Sequence, residues 1–93
     1  MTQLQFSASA VEDLKRLREF IAVNNPEAAE NVSLRLRQAI GKLTLFPAIG
    51  RPVLELDGVR EFVVDNYVVR YLYTDENLIV ILRVWHGKEY RDL

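Results

Sequence analysis

The stretch Val59-Arg60-Glu61-Phe62-Val63-Val64-Asp65-Asn66-Tyr67-Val68-Val69-Arg70-Tyr71-Leu72-Tyr73, continued through Thr74 to Asn77 into Leu78-Ile79-Val80-Ile81-Leu82-Arg83-Val84-Trp85-His86, reads as two consecutive β-hairpins. Asp65 and Asn66 tolerate positive φ and suit a two-residue turn, which pairs Val64 with Tyr67. That register sets Phe62 opposite Val69, Arg60 opposite Tyr71, Val63 opposite Val68 and Glu61 opposite Arg70. The second connection, Thr74 to Asn77, is expected to pair Tyr73 with Leu78 and so Val69 with Leu82. Because side chains alternate along a strand, two faces follow. One carries Phe62, Val64, Tyr67, Val69, Tyr71, Leu78, Val80, Leu82 and Val84, with Arg60 and His86 near its ends, and is the expected core face. The other carries Val59, Glu61, Val63, Val68, Arg70, Leu72, Ile79, Ile81, Arg83 and Trp85, a mixed apolar floor with three charges near its middle. A slip of one residue would exchange the two faces.

Upstream, Leu4 and Phe6 alternate with Gln3, Gln5 and Ser7, the pattern of a short, half-buried edge strand. Ser9 and Glu12 have capping-box spacing, and Asp13 suits the first turn of a helix. Ala10, Leu14, Leu17 and Ile21 form one apolar stripe of an amphipathic helix that ends near Asn24. Asn25-Pro26 restarts the chain: an N-cap side chain, then a residue whose fixed φ suits the first helical position. Ala29, Val32, Leu36, Ile40 and Leu43 form a second stripe, stopped by Pro47. So short a connection makes the two helices an antiparallel hairpin. Phe46 to Val53, with two prolines and Gly50, is expected to be a loop without regular structure. The expected fold is therefore α+β, one domain over residues 1–93, with a short N-terminal strand and a helical hairpin packed on one face of a mostly antiparallel sheet.

Composition narrows the chemistry. The chain has 93 residues, no cysteine, one histidine and a formal net charge of -1. There is thus no thiolate nucleophile or thiolate metal site, and one histidine cannot build a multi-histidine centre within one chain. We expect no metal and no cofactor. The near-neutral charge lacks the basic excess of a typical nucleic-acid-binding surface. Met1 to Phe6 carries no signal-peptide pattern and no apolar run reaches membrane-spanning length, so the expected location is the cytoplasm, with no membrane partner.

Taken in order, Asn25-Pro26-Glu27-Ala28-Ala29, Phe46-Pro47 with Gly50-Arg51-Pro52, the strand opening Val59-Arg60-Glu61, Tyr67 and Tyr71, and the ending Val84-Trp85-His86-Gly87 resemble the RelE/ParE superfamily of toxins from bacterial type II toxin-antitoxin systems. The resemblance spans nearly the whole chain and implies one of two activities. RelE-like members cleave mRNA in the ribosomal A site, typically with basic residues on the open sheet face and often a C-terminal tyrosine or histidine. ParE-like members inhibit DNA gyrase without a known catalytic centre. Here Val59 to Val63 contains no lysine, Val68 follows Tyr67 where RelE has a catalytic arginine, and the arginine of the RelE C-terminal segment falls near Glu89. The Gly-Arg-Pro loop and the Trp-His-Gly ending look more like the ParE branch. The resemblance thus implies a non-enzymatic gyrase inhibitor, with an mRNA endonuclease as one alternative and an antitoxin-binding module without toxicity as another.

If the chain is a nuclease, Glu61 is the candidate base, Arg70 and Arg83 the phosphate clamps and His86 an acid-base group. Glu61 and Arg70 are equally read as a cross-strand ion pair, and His86 as a structural or interface histidine. Candidates for contact with a target or partner are Arg51, Arg60, Trp85, His86, Lys88, Tyr90 and Arg91. Arg51 either steadies its loop or touches a partner. Arg60, at the rim of the core face, is expected to snorkel over Tyr71 and bind loop carbonyls. Antitoxins of this superfamily fold onto the toxin, commonly as a helix near the helical hairpin and a strand at a sheet edge. Phe20, Val23 and Leu34, which lie off the main stripes, are the expected antitoxin-facing residues.

Overall fold

Asn25 joins two helices and at the same time caps the second, which is what folds the first half of the chain into a hairpin. The computed structural model describes residues 2–74 and 77–87. Strand β1 (Gln3–Phe6) is followed by α1 (Ala8–Asn24), α2 (Pro26–Gly41) and a 3₁₀ turn (Lys42–Thr44). Strands β2 (Arg51–Pro52), β3 (Val59–Val64), β4 (Tyr67–Thr74) and β5 (Leu78–His86) complete the order. The Asn25 side chain accepts a hydrogen bond from the Ala28 amide at 3.1 Å, and Pro26 opens α2, as the Asn-Pro pair implies. The first helix starts differently. Ser7, not Ser9, is its N-cap, accepting from the Ala10 amide at 3.0 Å, so the expected Ser9–Glu12 capping box does not form.

The five strands make one sheet in the order β1-β5-β4-β3-β2. β1 runs parallel to β5 at one edge, and the remaining pairs are antiparallel. The loop assigned to Phe46–Val53 contains β2, a strand the sequence reading omitted: Arg51 pairs with Glu61 and Pro52 with Arg60. Proline fits because β2 is an edge strand. The Val53 amide donates inward to the Val59 carbonyl at 2.9 Å, so Pro52, one residue earlier, belongs to the outward-facing set and costs the ladder no donor.

The first hairpin has the expected register throughout, from Val64 opposite Tyr67 to Glu61 opposite Arg70, with Asp65 at φ 55°. The second does not. Thr74 pairs with Leu78 and Tyr73 with Ile79, leaving three positions in the connection, with Asn77 at φ 59°. This one-residue shift turns Ile79 and Ile81 into the core, where both are fully buried, and leaves Leu78, Val80 and Leu82 only partly buried. A β-bulge then restores the expected parity: Tyr71 faces Ile81, Arg70 faces Arg83, and Leu82 is the extra residue. Val84 is accordingly buried, as expected, but it stands opposite Val69, where Leu82 was expected.

The bulge sits where β1 ends. Phe6 is the last residue of β1 paired to β5, opposite Ile81. Ser7 then donates from its amide to the Ile81 carbonyl and from its hydroxyl to the Leu82 carbonyl, both at 2.9 Å. One serine therefore caps α1 and ties down the bulge. The core between the helices and the sheet holds Ala10, Leu17, Leu36, Ile40 and Leu43 from the helical side and Tyr67, Val69, Tyr71, Ile79, Ile81 and Val84 from the sheet. Burial of the Leu, Ile and Val side chains among them contributes about 1.5–3 kcal/mol each relative to exposure, which is what presses the hairpin onto this face. No helix among the described residues is long and apolar enough to cross a membrane.

Candidate functional site

The charged residues that alternate with the core side chains of β3 and β4 point to the uncovered face. There Arg70 Nε donates to Glu61 Oε2 at 2.7 Å, and the Arg70 guanidinium lies 5.4 Å from the centroid of the Trp85 ring. The pair and the indole form one unit, a cation-π contact backed by an ion pair. Arg51, opposite Glu61 in the ladder, stands exposed beside it. With Ile49, Phe62, Val63 and Val68, Arg51 and Glu61 line a groove of about 390 Å³.

The remaining members of the candidate nuclease set are elsewhere. Arg83 stands opposite Arg70 in the ladder, but its guanidinium is held by Asp13 of α1, with Nε to Oδ2 at 2.8 Å and Nη2 to Oδ1 at 3.0 Å. His86 packs edge-on against Tyr67, with ring centroids 5.1 Å apart. The structure thus brings Glu61 and Arg70 together, directs Arg83 to the helix and sets His86 against a core tyrosine.

Asp13 is the residue the sequence reading missed. Its exposure is 4%, and besides Arg83 it accepts a hydrogen bond from the Val84 amide at 2.9 Å. Arg16, one turn along, approaches it at 3.5 Å. A buried carboxylate is stable only when its lone pairs are filled, and these donors fill them. The signal was present: Asp13 lies three residues after Ala10 and four before Leu17, on the apolar stripe itself.

The loop before β2 is fastened from β3 and β4. The Tyr71 hydroxyl donates to the Pro47 carbonyl at 2.7 Å and accepts from the Gly50 amide at 2.9 Å. Arg60 donates to the Gly50 carbonyl at 2.7 Å and the Ala48 carbonyl at 3.4 Å, the role expected of it. Gly50 is required by space, since a β-carbon there would come within 2.7 Å of the Glu61 carbonyl oxygen and 2.8 Å of the Tyr71 hydroxyl. Burial pushes the Tyr71 phenol above its ordinary pKa, and the Gly50 hydrogen bond and the Arg60 charge pull back against it.

On the helical side, α1, α2 and β1 enclose a groove of about 540 Å³ with an apolar floor that includes Val11, Leu14 and Val32 and a rim of Lys15, Arg18 and Arg37. Phe20, Val23 and Leu34 are exposed, at 71%, 82% and 51%. Lys88, Tyr90 and Arg91 lie outside the described residues.

A helical hairpin laid on a five-stranded mixed sheet, with a charged outer face, is the α+β architecture of the RelE/ParE toxins. Comparison with known proteins agrees. The family model for the ParE toxin of type II toxin-antitoxin systems matches residues 4–90. A curated relative, Toxin RelE2 of Caulobacter vibrioides, is 37% identical over 88 residues, 94% of this chain and 97% of its own length. Among solved structures, the chromosomal ParDE system of P. aeruginosa gives a TM-score of 0.80 at 22% identity, over 95% of this chain and 98% of that one. The RelBE2 toxin-antitoxin complex of Mycobacterium tuberculosis gives 0.67 at 30% identity, over 91% and 96%. The chain belongs to the ParE toxin family of type II toxin-antitoxin systems.

Proposed function

We propose that this toxin acts as ParE-like members do, by inhibiting DNA gyrase through protein contact rather than by cutting mRNA. Relatives named for both branches are similar to the chain, so the branch is argued from the side chains. The observation that carries it is the placement of Arg83. A phosphate clamp must present its guanidinium to the reacting phosphate, and this one is engaged by the Asp13 carboxylate. The Glu61 carboxylate that would serve as base is engaged by Arg70, and His86 is directed to Tyr67. An in-line cleavage needs base, clamp and acid around one phosphate.

The toxin is held by a cognate antitoxin. The groove between α1 and α2 supports this: its apolar floor and its rim of three cations fit an amphipathic helix with acidic flanks. Leu34 adjoins it, lining a smaller depression with Arg18, Ser33 and Arg37, while Phe20 and Val23 are exposed elsewhere on α1. Hydrogen exchange with and without the antitoxin should show new protection within residues 10–45, and unchanged protection there would contradict the docking.

The test of the target is a gyrase supercoiling and DNA-cleavage titration with the purified chain, run beside mRNA cleavage on translating ribosomes. Supercoiling inhibited with mRNA intact is the expected result. Gyrase unaffected with cuts in the A site would overturn it.

A further inference from the structure

Four charged residues occupy successive ladder positions across the sheet, Arg51 opposite Glu61, Glu61 opposite Arg70, Arg70 opposite Arg83. Two of the three cations have carboxylates, Arg70 with Glu61 and Arg83 with Asp13. Arg51 is the third. It is exposed, and among the described residues no ion pair or hydrogen bond reaches its guanidinium, because the carboxylate opposite it already serves Arg70. Beside it Ile49 and Val63 are 58% and 62% exposed, and Val68 completes the apolar wall of the groove. The loop that carries Arg51 is rigidly placed by Tyr71 and Arg60, so the guanidinium is presented on a fixed support.

We infer that this groove docks an extended protein segment that sets a carboxylate on Arg51 and an apolar side chain against Ile49 and Val63. A planar guanidinium with free donors matches a carboxylate bidentately. Nucleic acid fits poorly. A strand brings one phosphate per nucleotide and depends on several cations, whereas this groove has one uncommitted cation and the Glu61 carboxylate in its wall. The only indole of the chain is engaged by Arg70, and Phe62, the aromatic residue lining the groove, packs edge-on against the core Tyr71, an arrangement unlike the open aromatic faces on which bases stack. The inference deepens the reading of a protein target and names the surface that would meet it. That surface lies across the sheet from the α1/α2 groove, so a segment bound between the helices leaves it open.

The probe is the capped peptide acetyl-Glu-Leu-Glu-Leu-Glu-amide, titrated into the full chain labelled with ¹⁵N. Saturable shifts at the Arg51 side chain and the Val63 and Val68 amides are expected. Arg51→Ala and Arg51→Glu should weaken binding by about tenfold or more, and Phe20→Ser should not change it. Dispersed spectra of both Arg51 variants establish that they fold. Equal binding of the Gln-for-Glu peptide, shifts confined to Lys15, Arg18 and Arg37, or no saturable shift would overturn the inference. So would an oligouridylate that saturates Arg51 at lower concentration than the peptide. The gyrase titration is a separate readout: peptide binding at Arg51 with gyrase unaffected removes the gyrase reading and keeps the groove, and the reverse removes the groove alone.

Discussion

Arg70 and Arg83 face each other across β4 and β5, each bonded to a carboxylate, yet the two pairs do different work. Asp13 is buried and fills its lone pairs from Arg83 and from the Val84 backbone, so it joins α1 to the bulged strand at the end of β1. Glu61 sits on the uncovered face, with its side chain 29% exposed, and joins a side chain of the neighbouring strand. The first pair stabilises the arrangement of helix and sheet. The second shapes a surface. An arginine's place in a ladder therefore says little about its role until its carboxylate is known.

The largest effect that could break this comparison is at Asp13. Asp13→Ala leaves the Val84 amide without its acceptor inside the fold and Arg83 without its anion, and should cost about 3 kcal/mol or more. Urea denaturation is the check, and a loss as small as that of a surface ion pair would mean the two pairs are equivalent. Next is Gly50→Ala, where the added methyl meets the Glu61 carbonyl and the Tyr71 ring; overpacking of this kind costs about 1–3 kcal/mol. Thermal melts of the variant should fall, and an unchanged melting temperature would show that the loop yields.

Tyr71→Phe should cost about 1–2 kcal/mol, because the Gly50 amide and the Pro47 carbonyl lose a partner. It should also change the alkaline limb of stability. With the folded phenol raised above 10.0, its contribution is complete below the unfolded value and is lost as pH rises through the raised one. The wild type should weaken there, and the phenylalanine variant should lack that decline in denaturation curves taken across the same range. The smallest effect belongs to Glu61→Ala, about 0.2–1 kcal/mol. A larger loss by denaturation would move this pair into the class of Asp13.

Much of the fold was legible because its signals are local. Asp65-Asn66 set one hairpin register, Asn25-Pro26 set the break between helices, and the two apolar stripes named the helical core residues that are buried. The errors lie where distant contacts decide. A three-residue connection ending in Asn77 and a bulge at Leu82 cancel each other along β5, so Val84 was placed correctly while Ile79 and Ile81 were assigned to the wrong face. That bulge is held by Ser7 and Asp13, more than 60 positions away in the chain, and no window of sequence around Leu82 contains them. Arg83 was misread for the same reason: its alternation put it beside Arg70, but its partner is on a helix. The loop-binding role of Arg60 was read correctly because a rim cation beside an aromatic and a loop has few other partners.

The most direct test of the central claim, that Arg83 serves the fold and not a phosphate, is Arg83→Gln assayed per folded molecule. Folded fraction is measured by denaturation, then gyrase inhibition and ribosomal mRNA cleavage are titrated beside the wild type. The account expects unchanged gyrase inhibition by the folded variant and no A-site cuts by either protein. Wild-type mRNA cleavage that disappears in a fully folded Arg83→Gln protein would contradict it.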